Sequence, residues 1–317
     1  MLIKKGTIID GSGKERFKGD IRIEGDTIKE IGIVSARKNE LTIDATGYFV
    51  TPGFIDIINR SDIHFSLFVR SDLRSLLKQG ITTILGGNCG ASLAPLSGIE
   101  ALKAIQKWHT LSGVNINWAT TGEFLDELTR HRLSINFGTL TGHATLRRGT
   151  VGEKFQKLAY TELKKMEYLL EQSLEEGSFG FSAGLAYAHE RVADISEVKR
   201  LLKIVQKKNR LWTVHLRNED RDLLPALNEI VTLAREVGIR SHISHIKALG
   251  KDAWGEFPKS LEMLNAAKES GVNINFDLYP YDRTATVLYL LLPEWATAGG
   301  RLEVLKRLGD RVARKKI

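Results

Sequence analysis

The chain has 317 residues, 42% of them hydrophobic, which indicates a globular protein with room for one large and one small domain. No apolar run is long enough to span a membrane, and the N-terminus lacks the features of a signal peptide, so we expect a cytoplasmic protein. The net charge of +8 comes from 46 basic and 38 acidic residues that are mixed along the chain. This mixing favours lysine-rich, solvated helix faces over an anionic partner, so neither a nucleic acid nor a membrane is expected as the partner.

Residues 1–50 predict a small β module. Apolar and polar residues alternate in short segments that are bounded by Gly6, Gly25 and Gly47, as in an antiparallel sheet. The predicted strands are Leu2–Lys4, Thr7–Ile9, Asp20–Glu24, Thr27–Ile31 and Leu41–Asp44.

Residues 51–317 predict an α/β fold, because apolar strands alternate there with longer helical segments. Seven strands are predicted: Phe49–Ile58, Gly80–Cys89, Ile135–His143, Gly177–Leu185, Arg210–Arg217, Gly238–Ile246 and Asn273–Pro280. The main helices between them are predicted at Glu162–Glu176, Ile195–Lys207, Leu223–Val237 and Ser260–Ser270, with another over Gly300–Lys316. A TIM-type (β/α) barrel closes with eight strands, so we expect an incomplete barrel in a chain truncated before its last strand.

Cysteine and histidine side chains follow several predicted strands. Cys89, His143, Tyr187, His215 and His245 lie at or near strand ends, where the loops of a parallel barrel converge. A lone cysteine such as Cys89 is a buried apolar residue, a reactive thiol or a metal ligand. Zinc accepts thiolate and imidazole together, and three protein ligands leave a fourth position for water. The pattern therefore favours a zinc site formed by Cys89, His215 and His245.

Two further features of the sequence bear on this site. His242 is three positions from His245 and faces the other side of a regular strand, so it is not predicted as a ligand. Glycines around Cys89, in Gly86-Gly87-Asn88-Cys89-Gly90, permit a tight backbone path.

In chain order, several motifs resemble the D-aminoacylase (N-acyl-D-amino-acid deacylase) branch of the amidohydrolase superfamily. These are Thr51-Pro-Gly-Phe-Ile-Asp56, Gly87-Asn-Cys-Gly-Ala-Ser-Leu-Ala-Pro95, Gly142-His-Ala-Thr-Leu-Arg147, Gly180-Phe-Ser-Ala-Gly-Leu185, Val214-His-Leu-Arg217, Ser244-His-Ile-Lys247 and Tyr279-Pro-Tyr281. The resemblance implies zinc-dependent hydrolysis of the linear amide bond of N-acyl-D-amino acids. The D preference comes from the resemblance alone.

The resemblance also implies roles for particular residues. Cys89, His215 and His245 would bind the tight zinc, while Lys247, Tyr187 and one tyrosine of the pair Tyr279 and Tyr281 would hold the substrate. In this family the N-terminal β module joins a C-terminal segment in a small β-sandwich.

The chain departs from the family pattern at two places. Ile58 and Arg60 stand where the family carries a His-x-His pair, and neither side chain can ligate zinc; His64 is displaced from those positions. The catalytic aspartate of the family belongs to the eighth strand, beyond Ile317, so no catalytic residue is assigned and we expect impaired hydrolysis.

These departures leave two alternatives open. One is a non-catalytic zinc- or ligand-binding relative. The other is one subunit of a split enzyme, completed by a separate C-terminal chain. An open barrel edge would also favour self-association.

Overall fold

The computed structural model describes residues 1–105, 114–299 and 301–317. The chain divides into two compact units. The first comprises Met1–Phe54 with Gly80–Thr82, and the second comprises Ile55–Gln79 with Thr83–Ile317. The boundary predicted from the sequence was residue 50. Among the described residues, no helix is both long enough and apolar enough to cross a membrane.

The first unit contains one five-stranded sheet. Its strands are β1 (Leu2–Ile8), β2 (Phe17–Glu24), β3 (Thr27–Gly32), β4 (Thr42–Asp44) and β5 (Phe49–Val50). The order is β3-β2-β1-β4, and β5 also pairs with β1. The prediction of an antiparallel sheet was wrong in part, because β4 and β5 run parallel to β1.

A β-bulge interrupts the first strand without ending it. Gly6 was expected to separate two strands, but β1 continues through it with a register shift between Ile3 and Gly6. Lys5 has a positive φ of 58°, which is the geometry of a β-bulge. The described residues of this unit contain a single sheet, with Ile28, Ile31 and Ile43 exposed on it, so a sandwich is not observed.

The strands predicted for a barrel lie between residues 54 and 276. They are β6 (Phe54–Asp56), β7 (Ile81–Gly86), β8 (Asn136–Thr139), β9 (Thr141–Gly142), β10 (Gly180–Gly184), β11 (Leu211–His215), β12 (Arg240–Ile243) and β13 (Ile274–Phe276). They form two sheets, β6-β7-β8 and β13-β12-β11-β10-β9. The pair β7–β8 and every pair from β9 to β13 is parallel.

The third predicted barrel strand is split at Leu140. Before it, β8 pairs with β7; after it, β9 pairs with β10. The Leu140 amide still donates to the carbonyl of Gly86, at 3.0 Å, so pairing with the first sheet persists up to the switch. The break therefore marks the point where the strand changes partners.

Helices connect these strands. They are α1 (Ser66–Val69), α2 (Arg74–Leu77), α3 (Ile99–Ile105), α4 (Thr121–His131), α5 (His143–Val151), α6 (Tyr160–Glu175), α7 (Ala188–Arg191), α8 (Ile195–Lys207), α9 (Leu223–Val237), α10 (Glu256–Glu269), α11 (Glu294–Thr297), α12 (Arg301–Gly309) and α13 (Arg311–Arg314). Short 3₁₀ helices cover Lys251–Ala253 and Leu288–Leu291.

Helix boundaries follow local capping. The Asp194 side chain accepts the Glu197 amide at the start of α8, and Gly238 ends α9 in the left-handed conformation, so both helices have the predicted bounds. The predicted C-terminal helix is interrupted at Asp310, whose side chain caps α13. The predicted start of that helix, Gly300, lies outside the described residues.

The core of the second unit lies between the parallel sheet and helices α6, α8 and α9. Phe181, Leu201, Trp212 and Leu227 have no exposed surface. Each such side chain contributes about 1.5–3 kcal/mol when it is fully buried. This packing fixes the strands, and therefore the positions of the residues at their carboxyl ends.

Candidate metal centre

Three side chains from three different strand ends converge in the second unit. Cys89 follows β7, His215 is the last residue of β11, and His245 lies two residues after β12. Their ligand atoms all lie within 4.8 Å of one another, and all three residues are buried. His245 Nε2 is 3.4 Å from Cys89 Sγ and 3.1 Å from His215 Nδ1.

The loop that carries Cys89 is held in a tight path. Gly87 and Gly90 have φ angles of 75° and 78°, and a Cβ at Gly87 would collide with the Leu140 carbonyl. The Ser182 hydroxyl on β10 accepts the Gly90 amide at 3.0 Å and donates to the Gly87 carbonyl. The glycines flanking Cys89 are therefore required by close packing, as the sequence indicated.

Asp277, which follows β13, fixes the turn that carries His245. Its Oδ1 accepts the His245 amide at 3.0 Å and lies 2.8 Å from His242 Nε2. His245 has a φ of 38°, an unfavourable angle for a residue with a Cβ, which this hydrogen bond helps to maintain. His242 is thus engaged with Asp277 and is absent from the cluster of ligand atoms.

Glu219 contacts the outer nitrogens of both histidines, and the sequence did not predict it. Its carboxylate oxygens lie 3.5 Å from His215 Nε2 and 3.4 Å from His245 Nδ1. A carboxylate in this place helps to orient the ring of a metal-binding histidine. The Lys247 ammonium also lies close to His245 Nδ1, at 3.2 Å. The available signal for Glu219 was its position four residues after His215, in the loop that follows β11.

The site stabilises charged side chains. Burial raises the pKa of the Cys89 thiol, but hydrogen bonds from His215 and His245 and the charge of Arg60 outweigh it and bring the pKa to about 5. Burial likewise opposes ionisation of Glu219, yet contacts with the two histidines and Lys247 lower its pKa to about 2. Thiolate and carboxylate are therefore the forms present at neutral pH.

A cavity of about 720 Å³ opens beside these groups. All four residues predicted to hold substrate line it: Lys247, Tyr187, Tyr279 and Tyr281. The Lys247 ammonium is paired with Glu219 Oε2 at 2.6 Å. Burial raises the pKa of Tyr187, so its hydroxyl keeps its proton and can donate a hydrogen bond into the cavity.

The residues at the departures from the family pattern lie in the same cavity. Ile58, Arg60 and His64 line it, and the Arg60 Nη2 group donates to Cys89 Sγ at 3.2 Å. His64 does not join the converging ligand atoms found among the described residues. This contact between Arg60 and the thiol was not predicted from the sequence.

His143 belongs to a separate buried network. It is the first residue of α5, and its ring lies 2.8 Å from Glu197 and 3.3 Å from Glu190. Arg147, which is also on α5, pairs with Glu197. His143 is therefore enclosed behind the loop of Cys89 and does not line the cavity.

The cluster formed by Cys89, His215 and His245 fits a zinc ion. A tetrahedral zinc places two imidazole nitrogens about 3.3 Å apart and a nitrogen about 3.6 Å from a thiolate sulfur. The corresponding distances here are 3.1 Å between the histidine nitrogens and 3.4 Å from sulfur to nitrogen. The donor types and their spacing therefore suit zinc with a fourth position open.

Comparison with known proteins shows that this chain is similar to several deacylases. N-acyl-D-glutamate deacylase of Alcaligenes xylosoxydans xylosoxydans is 34% identical over 298 residues, which cover 93% of this chain and 59% of that protein. The N-acyl-D-glutamate deacylase of Bordetella bronchiseptica, solved with zinc and a phosphonate mimic of the tetrahedral intermediate, is 33% identical with a TM-score of 0.80. That match covers 88% of this chain and 58% of the solved one.

A D-aminoacylase structure gives a similar match. It has a TM-score of 0.81 and 28% identity over 88% of this chain and 58% of its own. Its binuclear metal centre is described as activated by one metal and attenuated by a second. No protein-family model matches the sequence. The chain spans somewhat under three fifths of the length of these relatives.

The fold and these likenesses define the class as the TIM-barrel amidohydrolases, with their parallel sheets. Within this superfamily, about nine tenths of the chain is similar in sequence and in fold to N-acyl-D-amino-acid deacylases.

Proposed function

We propose that this chain binds one zinc ion through Cys89, His215 and His245 and hydrolyses the linear amide bond of N-acyl-D-amino acids, with impaired turnover. The observation that carries the proposal is the convergence of a thiolate and two imidazoles beside a cavity of about 720 Å³. A cavity of this size accommodates a small acylated amino acid. The zinc in the deacylase of Bordetella bronchiseptica and the D-amino-acid substrates named for the relatives support the choice of metal and substrate.

When bound, zinc supplies a Lewis acid for the acyl carbonyl and for water. The chain's own residues prepare the site. Glu219 stays ionised and orients both histidines through their outer nitrogens, which leaves the inner nitrogens His215 Nδ1 and His245 Nε2 as ligand atoms. The low pKa of Cys89, about 5, provides the thiolate that zinc requires.

Residues along the cavity hold the substrate. The Lys247 ammonium approaches the substrate carboxylate while its ion pair with Glu219 keeps it oriented. The Tyr187 ring lies 4.9 Å from the His215 ring, and the Tyr187 hydroxyl donates a hydrogen bond near the metal. Tyr279 and Tyr281, with ring centroids 6.3 Å apart, cover the acyl group or the amino-acid side chain.

A second candidate function is zinc-dependent binding of N-acyl amino acids without turnover. Arg60 favours it, because its guanidinium contacts the Cys89 sulfur from a position where the family pattern has a histidine. Such a protein would keep the cavity and the zinc but release no product.

The test combines binding and turnover on one zinc-loaded preparation. We would measure the affinity for N-acetyl-D-glutamate by calorimetry and the release of free D-glutamate, with N-acetyl-L-glutamate as the stereochemical comparison. The matched variants are His215→Ala, which removes a ligand, and His131→Ala, which removes a histidine of α4 outside the cluster.

Each outcome selects one function. D-specific release that is lost in His215→Ala and kept in His131→Ala supports hydrolysis. Zinc-dependent binding without release supports the binding function. Neither binding nor release with any N-acyl amino acid refutes both.

A further inference from the structure

Arg60 occupies one side of the Cys89 sulfur. Its Nη2 group donates to Sγ at 3.2 Å, while His245 Nε2 lies 3.4 Å from the same sulfur. A guanidinium is always charged, offers only donors and cannot ligate a metal. Ile58, which also lines the cavity, offers no ligand atom.

The segment after β6 holds Arg60 in this place. Asp56 accepts the Ile58 amide at 3.1 Å and the Asn59 side-chain amide at 2.8 Å. The Asn59 backbone amide donates to the carbonyl of Leu85 on β7, at 3.2 Å. The turn is therefore fixed on both sides, and Arg60 projects into the cavity from a rigid position.

A thiolate carries more than one lone pair, so it can bind one metal and still accept from a second partner. The two metal ions of a binuclear hydrolase lie roughly 3.5–4 Å apart. A ligand atom that is shared by both metals therefore has the second metal as a close neighbour. Here that space beside the sulfur contains a guanidinium, which would repel a dication and supplies no electron pair to bind it.

We propose that Arg60 is a permanent cation in the position of a second metal, so that the site accepts one zinc and excludes another. This inference rests on the proposed zinc site. Arg60 also balances part of the negative charge of the Cys89 thiolate.

The experiment is a metal titration of the purified chain with excess zinc, followed by dialysis and elemental analysis of zinc per chain. Ile58→His with Arg60→His restores two histidines, and we expect two zinc ions in this variant. The matched control is Ile58→His alone, which adds a ligand but keeps the guanidinium. We expect one zinc ion per chain in this variant. The wild-type chain should also bind one.

The ¹¹³Cd spectrum of the cadmium-loaded wild type is a second readout that needs no variant. We expect a single resonance with thiolate coordination and no coupling to a second cadmium ion. Circular dichroism establishes that each variant is folded before its metal content is compared.

Several results would overturn the inference. Two zinc ions in the wild type or in Ile58→His would show that Arg60 does not exclude a second metal, while the zinc site of the proposed function would stand. One zinc in the folded double variant would show that Arg60 is not the cause of exclusion. No zinc in the wild type would refute both proposals together.

Discussion

Replacing Asp62 by asparagine should change how stability depends on pH. Asp62 is 1% exposed, and its Oδ2 accepts the amide of Gly87, in the loop that carries Cys89, at 2.6 Å. Burial raises its pKa from 3.8 to about 6, against the opposing backbone hydrogen bonds of Ile63 and Gly87 and the charge of Arg60. The folded protein therefore binds the Asp62 proton more tightly than the unfolded chain does.

The sign of the effect follows from this difference. Well below pH 3.8 the carboxyl is protonated in both states. Between pH 4 and pH 6 the unfolded chain releases the proton first, so the wild type loses stability as the pH rises. The rise in pKa from 3.8 to about 6 corresponds to at most about 3 kcal/mol, which is reached above pH 6. The side-chain amide of the Asp62→Asn variant has no proton to lose in this range.

The assay is urea unfolding of the wild type and Asp62→Asn at pH values from 4 to 7. We expect the unfolding free energy of the wild type to fall relative to the variant by up to about 3 kcal/mol over this range. Asp126→Asn, at an exposed position of α4, is the control and should show no such divergence. Parallel curves for the wild type and Asp62→Asn would refute the reasoning.

Three further predictions concern the site. Glu219→Gln should weaken zinc binding by about 10–100-fold in competition with a chelator, because both histidines lose their outer carboxylate; unchanged affinity would exclude that role. In chelator-treated protein the ultraviolet absorbance of the Cys89 thiolate should be half-maximal near pH 5, and a midpoint near the ordinary 8.5 would contradict the charge arrangement. Lys247→Met should raise KM for an N-acyl-D-amino acid more than it lowers kcat, and an effect on kcat alone would remove it from substrate binding.

The sequence predicted those parts of the molecule that depend on local pattern. Helices α8 and α9 have the expected bounds because Asp194 and Gly238 supply ordinary capping signals. The grouping of Cys89, His215 and His245 was predictable because the loops that follow the carboxyl ends of the strands converge in a parallel barrel.

The parts that were missed depend on tertiary contacts. The split at Leu140 reflects a change of strand partner, and no local pattern signals it. The parallel pairing of β4 with β1 depends on the path of the intervening segment, where Arg22 binds Glu40 at 2.9 Å. Glu219 was missed because a loop carboxylate in sequence is indistinguishable from the many that face solvent.

Helix α10 shows a similar limit on a smaller scale. It begins at Glu256 rather than at the predicted Ser260. Pro258 lies in its first turn, where the missing amide hydrogen costs nothing, although the same residue inside a helix would end it. The predicted helix therefore began about one turn later than the observed one.

The zinc content of the purified chain tests the central claim most directly. Elemental analysis of the wild type, Cys89→Ala and His131→Ala should give about one zinc per chain in the first and third and none in the second. Zinc that is absent from all three proteins, or that persists in Cys89→Ala, would contradict a site formed by Cys89, His215 and His245.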